Sequence, residues 1–393
     1  MKLRKISTIL LSSLAFVSAL TLTSCGNGVA NVTYVDENGT EQVQEIKKTE
    51  NKDEVVDAMA AIAYSKSEEE FNPKGIALRL NARANISGIQ NKKRFSEGLN
   101  ANLEFRLGEV SKNDKKELCT YSKLSLDGKM NFSSIMSMIN NPKSITNEEQ
   151  TADLTKTNSF NISAEEFSDT TNAYFRINKL DGIPYSELGL SLYESTIKEY
   201  IGKLYYVELS SISRLIPISI PNKSLESEED TSFDYSALIN SYSSMIPHAS
   251  LLTYNLGETI TEYKERCKQE LEDNNIIISS VSGNNVTFKF KQAVSQSSEE
   301  ESKYSGNSYV ALTIDSKIKM PVALDVDYGD YLTYLANSNK EEGSTNQYNY
   351  GVKFSIGLDY NASVPTLTEA DKKKANDGSI LVSLISMYIP RYK

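Results

Sequence analysis

From Ile76 onward the chain repeatedly alternates apolar and polar residues with a period of two. Ile76, Leu78, Leu80, Ala82, Ala84 and Ile86 form one such run, and Leu99, Ala101, Leu103, Phe105 and Leu107 form the next, after Gln90-Asn91-Lys92. Tyr121 to Met130, Ser159 to Phe167 and Thr171 to Leu180 follow, each closed by a polar or glycine-containing break. A strand with this period turns all its apolar side chains to one face and leaves the other wet. Strands of that kind belong to antiparallel sheets, because parallel strands are buried on both faces and read as continuous apolar runs. The expected fold is therefore α+β and β-rich, built on a large antiparallel sheet.

Helical spacing interrupts the pattern at a few places. Val55, Val56, Met59, Ile62 and Ala63 share one face of a segment from Asp53 to Lys66, and Asn51 with Glu54 fits a capping box. Glu258 to Glu272 repeats the arrangement with Ile260, Tyr263, Cys267 and Leu271, Pro184 to Tyr200 is read as containing a helix, and Phe233 to Met245 reads as another. Hairpins are expected over residues 31–46 around Asn38-Gly39, over 276–290 around Ser282-Gly283-Asn284-Asn285, and over 309–328 around Asp315-Ser316-Lys317. Lys203 to Leu209 and Tyr350 to Tyr360 read as strands, and Phe132 to Ile139 as a loop or short helix. Ser210 to Asp234, with Pro217 and Pro221, and Gln296 to Lys303 read as surface excursions; the chain ends in an apolar stretch, Ile380 to Ile389. Residues 52–393 are read as one β-rich ectodomain with insertions near 130–157 and 210–250, two subdomains being the alternative.

The first 24 residues stand apart. Lys2, Arg4 and Lys5 precede an apolar run from Thr8 to Leu22, the pattern of an export signal. Leu22-Thr23-Ser24-Cys25 resembles the bacterial lipobox. The resemblance implies cleavage before Cys25 and a thioether-linked diacylglycerol on it, so residues 25–51 become a lipidated N-terminus with a hairpin. Several acyl chains on one residue make a stable anchor, at ~0.8 kcal/mol per buried methylene. The expected location is extracytoplasmic, on the outer face of the cytoplasmic membrane or on an outer membrane where the host has one. No other stretch reaches the ~20 apolar residues of a membrane span. Removing three basic residues and no acidic one takes the net charge from −10 to −13. That acidity argues against nucleic acid as a partner.

The rest of the composition excludes more than it names. A single His, His248, and three Cys rule out a His-rich metal cluster or a zinc scaffold within one chain. His248 lies near Ser250, but no Gly-x-Ser-x-Gly elbow occurs, so no catalytic residue is assigned and the chain is read as a non-enzyme. Asp325, Asp327 and Asp330 are read as the solvated face of a strand, and Glu226, Glu228, Glu229, Asp230 and Glu299 to Glu301 as acidic loops. No cofactor or metal is expected. Cys119 and Cys267 either close one long disulfide loop or are two buried thiols.

Several local features occur together in a familiar order. The early helix precedes long amphipathic strands; Gly202-Lys203-Leu204-Tyr205-Tyr206-Val207-Glu208-Leu209-Ser210 forms one characteristic strand. Tyr309 to Asp315 with Met320-Pro321-Val322 forms a hairpin, and Tyr360-Asn361-Ala362-Ser363-Val364-Pro365 a closing segment. The ensemble resembles the LolA/LppX-like envelope lipoproteins. It departs from them in carrying Leu204 where Trp is common. The resemblance implies a half-barrel, a curved antiparallel sheet whose concave face is covered by helices, and a lipid or other apolar ligand held in that concavity. Leu78, Leu80, Leu103, Phe105, Phe175 and Ile177 are the expected lining. The alternatives are a structural or interaction lipoprotein that contacts a protein or cell-wall partner, and a transporter substrate-binding lipoprotein.

Overall fold

A computed structural model describes residues 28–65, 73, 75–90, 92–112, 115–131, 157–186, 190–209, 254–272, 275–291, 306–338 and 345–379. The export signal, Cys25, His248, the readings at 132–139, 210–245 and 296–303, and the apolar end 380–389 lie outside them.

Strands β1 (Ala30–Val35) and β2 (Glu41–Ile46) form a separate hairpin, followed by helix α1 (Lys52–Tyr64). Long strands come next: β3 (Gly75–Gln90), β4 (Lys93–Lys112), β5 (Lys115–Met130), β6 (Asn158–Ser168) and β7 (Asn172–Asp181). A short helix α2 (Glu194–Glu199) leads to β8 (Leu204–Glu208). The second half contains α3 (Ile260–Glu272), β9 (Asn275–Ser282), β10 (Asn285–Lys291), β11 (Tyr309–Asp315), β12 (Met320–Asp327), α4 (Gly329–Ser338), β13 (Gln347–Asp359), α5 (Glu369–Lys374) and β14 (Asn376–Asp377).

Apart from the hairpin, the strands join one twelve-stranded sheet in the order β14-β8-β7-β6-β5-β4-β3-β13-β12-β11-β10-β9. Its edges do not meet, so it is an open, β-rich half-barrel. Every neighbouring pair is antiparallel except β14 with β8, a small departure from the all-antiparallel expectation. The last long strand, β13, inserts between β3 and β12 and pairs with β3 along its whole length, from Gln347 opposite Ile89 to Asp359 opposite Ala77. That closure stitches the two halves of the chain into one ladder.

The main core lies over β9 to β12. Ile276, Ile278, Val281, Phe288, Leu312, Leu324 and Val326 meet α1, α3 and the inner side of the hairpin there. Helix α1 touches neighbours on nearly all sides, so Val55 to Ala63, Asp57 excepted, is buried almost without interruption. Asn51 caps it by accepting from Asp53 N at 2.9 Å, and Asp53 and Glu54 complement the helix dipole in the first turn. Helix α3 runs antiparallel to α1: Lys268 pairs with Asp53, Lys264 with Asp57, and Tyr64 donates to the Glu258 carbonyl at 2.7 Å. Its buried side is the expected Ile260, Tyr263, Cys267 and Leu271.

Some expectations are corrected and others settled. The first hairpin turns over residues 36–40 rather than through Asn38-Gly39 alone, because the Asp36 carboxylate accepts from both Asn38 N and Thr40 N. Asp330 lies in the first turn of α4, off the strand that carries Asp325 and Asp327. The helix expected within 184–200 is present, at the end of that segment. Of the two alternatives left open for Cys119 and Cys267, the structure has two buried thiols, one on β5 and one in α3 against the opposite face of the sheet.

Helix α4 solves a hydrogen-bonding problem. Strand β12 pairs with β13 only from Lys353 to Gly357, which leaves the start of β13 without a strand on that side. Thr333 and Asn337, one helical turn apart, fill the place: Asn337 receives Tyr348 N at 3.2 Å and donates to Tyr348 O at 2.7 Å. Thr333 Oγ1 accepts from Tyr350 N at 2.8 Å, and Tyr328 N reaches Val352 O at 3.0 Å. Replacing Asn337 by Ala strips two backbone groups of their partners and is expected to cost about 1–3 kcal/mol. Chemical denaturation measures that cost, and hydrogen exchange should show the Tyr348 amide losing protection first.

Candidate functional site

Residues paired across an antiparallel ladder point to the same face, so the registers identify which side chains form rows. One row passes from Ile278 through Phe288, Leu312 and Leu324 to Ile356. It continues through Leu80, Leu103, Leu124 and Ala164 to Ile177. The adjacent row runs from Ile276 through Phe290, Val310, Val326 and Phe354 to Ala82, Ala101, Leu126, Ile162 and Leu180. Both rows stay apolar from β9 to β7.

Their burial changes abruptly. Ile278, Phe288, Leu312 and Leu324 are at most 6% exposed beneath α1 and α3. Ile356, Leu80, Leu103, Leu124, Ala164 and Ile177, in the same row, are only half-buried. Among the described residues the helices therefore cover the β9 to β12 part of the face, a smaller share than a fully covered concavity requires. The expected lining residues do share a face. Leu78, Phe105 and Phe175 fall in one row, and Leu80, Leu103 and Ile177 in the next.

The opposite face is polar and paired. Arg79 and Arg106 converge on Glu104, with N–O distances of 3.2 and 2.6 Å, and Arg176 Nε donates to Glu165 at 2.7 Å. Burial pushes the Glu104 pKa up, but the hydrogen bonds from Arg106 and Arg79 outweigh it and hold the carboxyl below its ordinary value. Lys353 pairs with Asp327 at 2.6 Å, and Asn100 with Asp127 at 2.9 Å. Asp325 faces the same way, and burial raises its pKa against a hydrogen bond from Ser355. The segment after β13 crosses this face as a strap: Arg106 Nη1 donates to Ser363 O at 2.9 Å, Lys372 pairs with Asp169, and β14 joins β8.

Three carboxyls stand at apolar parity, and the alternation reading missed them: Glu109, opposite Leu118 near the end of β4, pairs with Lys116 at 3.0 Å, and the other two are Glu166 and Glu97. Glu166 stands in the row of Leu78, Phe105 and Phe175. It accepts from Ser122 Oγ at 2.7 Å and Thr120 Oγ1 at 3.4 Å, and Thr120 also bonds Ser168. Burial raises its pKa, opposed by hydrogen bonds from Ser122, Thr120 and Ser168. Glu97, opposite Ile86, is raised by burial against a backbone hydrogen bond from Asn131. Both sit at apolar parity, Glu166 four residues after Ile162 and Glu97 two before Leu99, and that charge at a core-parity position was the available signal. Measured along β3 from Leu78 to Ile86, the Glu166 and Glu97 rows lie about 27 Å apart, with apolar rows between them.

Two small pockets lie elsewhere. One of about 250 Å³ sits between the hairpin and β9, lined by Ile46, Thr49 and Ile278. One of about 220 Å³ lies under the strap beside Cys119, Phe167 and Tyr174. Among the described residues the apolar strip beyond the helices is thus a surface of the sheet. Among the described residues no three His, Cys, Asp or Glu side chains come together as metal ligands would. No family model matches the chain, and neither a curated protein nor a solved structure matches it.

The half-buried Glu166 gives a pH-dependent expectation. Its folded pKa is raised, so between the unfolded and folded values the native state holds more protons, and stability falls as pH rises through that window. Glu166→Gln is expected to raise Tm at pH 7 and to give no gain at a pH below the carboxyl's unfolded value. Thermal unfolding at both pH values checks the sign.

Proposed function

We propose that the protein is a membrane-tethered envelope lipoprotein that binds or shuttles an apolar ligand, most naturally a lipid, along the uncovered apolar strip from β13 to β7. Cys25 carries the anchor and the body acts as a binding protein, not an enzyme. The observation that carries this reading is the continuity of the apolar rows past the edge of their helical cover. A sheet that needed only a packed core over β9 to β12 would have no cause to keep Leu80, Leu103, Leu124 and Ile177 apolar, since the wet face of an antiparallel sheet ordinarily turns polar.

The dimensions agree with such a ligand. One acyl layer of a bilayer is half of a ~30 Å hydrocarbon core, or ~15 Å, which fits within the apolar strip. Hydrocarbon laid along it would contact side chains already half-buried, and its polar end would meet Glu166 with the hydroxyls of Thr120 and Ser122, or Glu97. The open half-barrel and the partial helical cover are in keeping with the LolA/LppX-like pattern in the sequence. On this reading the lipobox-like Leu22-Thr23-Ser24-Cys25 tethers the body to a membrane that could supply or receive the lipid.

Native mass spectrometry of protein extracted from its own membrane should find a lipid bound in addition to the anchor. Leu103→Glu, which puts a charge in the middle of the strip, should reduce the bound fraction about tenfold, a loss of about 1.4 kcal/mol, with circular dichroism unchanged. A wild-type protein that neither retains lipid nor takes up a fluorescent fatty acid would overturn the proposal.

A further inference from the structure

The tether between anchor and fold is very short. Gly28 is already docked, its N–H donating to Val281 O at 3.1 Å at the end of β9, and Ala30 and Val32 are buried in the main core. Cys25 is three residues away, so its Cα lies at most about 11 Å from that of Gly28. A linker of that reach cannot hold a folded body away from the bilayer or let it tumble freely.

The end of the molecule at which Gly28 docks is defined by several contacts. The β9–β10 and β11–β12 turns sit together there, with Ser316 N donating to Asn284 O at 2.8 Å. Strand β1 lies across this end: it leaves Val281, and Tyr34 bridges to Ser65, whose carbonyl accepts from Lys319 in the β11–β12 turn. The hairpin tip meets the start of α3 through Thr261 N and Glu37 at 2.9 Å. The loop leading into α3 completes it, with Tyr254 stacked on Tyr64 at 4.6 Å between ring centroids.

Exposed apolar side chains gather on these elements. Leu256 is 104% exposed, Val43 66%, Tyr254 51% and Val29 50%. Leu256 and Tyr254 share one loop, and Val29 stands next to the residue that docks the tether. Tyr at a polar–apolar boundary and a fully exposed Leu are what an interface between headgroups and acyl chains favours.

We infer that this end, formed by Val29, the β1–β2 hairpin and the 254–259 loop, rests on the bilayer, with Leu256 and Tyr254 entering the headgroup region. The inference depends on the lipid anchor at Cys25 and adds to it an orientation and a contact surface. Asp36, Glu37, Glu41 and Glu45 lie on the hairpin against Lys317 and Lys319 on the neighbouring turn, so among the described residues of these two elements acidic side chains outnumber basic ones and no basic patch drives the contact. It is held by the anchor and apolar side chains and is insensitive to salt.

The chain contains no Trp, so one introduced indole is a clean reporter. Full-length lipidated protein carrying Leu256→Trp is reconstituted into vesicles of zwitterionic lipid brominated near the headgroup. The indole is expected to lose about half its emission, because an interfacial side chain sits ~5–10 Å into the headgroup–acyl boundary. Leu192→Trp, 88% exposed on the segment that joins β7 to β8 near the opposite edge of the sheet, should keep its emission. A long Gly/Ser spacer inserted after Gly26 should restore most of the Leu256→Trp emission, and raised salt should not. The intact mass reports the diacylglycerol separately. Unmodified protein overturns the anchor and this inference together, whereas modified protein with equal or absent quenching at the two positions overturns the orientation alone.

Discussion

Everything in this protein depends on an apolar face that is continuous across the sheet but unevenly covered. The row from Ile278 to Ile177 crosses from β9 to β7 without a charged residue. Apolar burial is the main favourable term in folding, and here it is concentrated where α1 and α3 lie. Beyond β12 the same chemistry persists without that cover. A packed end thereby continues into a long apolar strip on the same sheet.

Polar groups are managed with equal economy. On the outer face, Arg79, Arg106 and Glu104 form one cluster and Arg176 and Glu165 another, so charges that the sheet partly buries have partners. At the start of β13, where β12 has ended, two side chains of α4 supply the hydrogen bonds that a strand would otherwise make. The strap from Ser363 to Asp377 covers the aromatic end of the polar face and closes the β8 edge with a short parallel pair. Glu166 differs in kind: it stands on the apolar side, hydrogen-bonded by hydroxyls, and with Glu97 it gives the apolar strip polar ends.

The proposed anchor and the proposed ligand strip belong to different parts of the molecule. Gly28 ties the tether to the well-packed β9 end, and the uncovered strip extends along the sheet away from it. A short tether fixed to the rigid end would orient the whole sheet relative to the bilayer.

The alternation of Leu78 and Leu80 or of Leu103 and Phe105 settled the strands and the faces from sequence alone, because side-chain direction in a strand depends only on residue parity. Helical spacing likewise located α1 and α3, and Asn51 announced the cap. Strand order was not legible: β13 is far from β3 in sequence, and an alternating strand carries no label for its partner. Nor could parity alone distinguish Leu324, packed under helices, from Leu103, which belongs to the uncovered strip. Cys119 and Cys267 show the same limit, since only their placement against opposite faces decided between a bridge and two thiols. Local periodicity determined which way each side chain points; what lies above it was decided by contacts between residues remote in sequence, which no local pattern encodes.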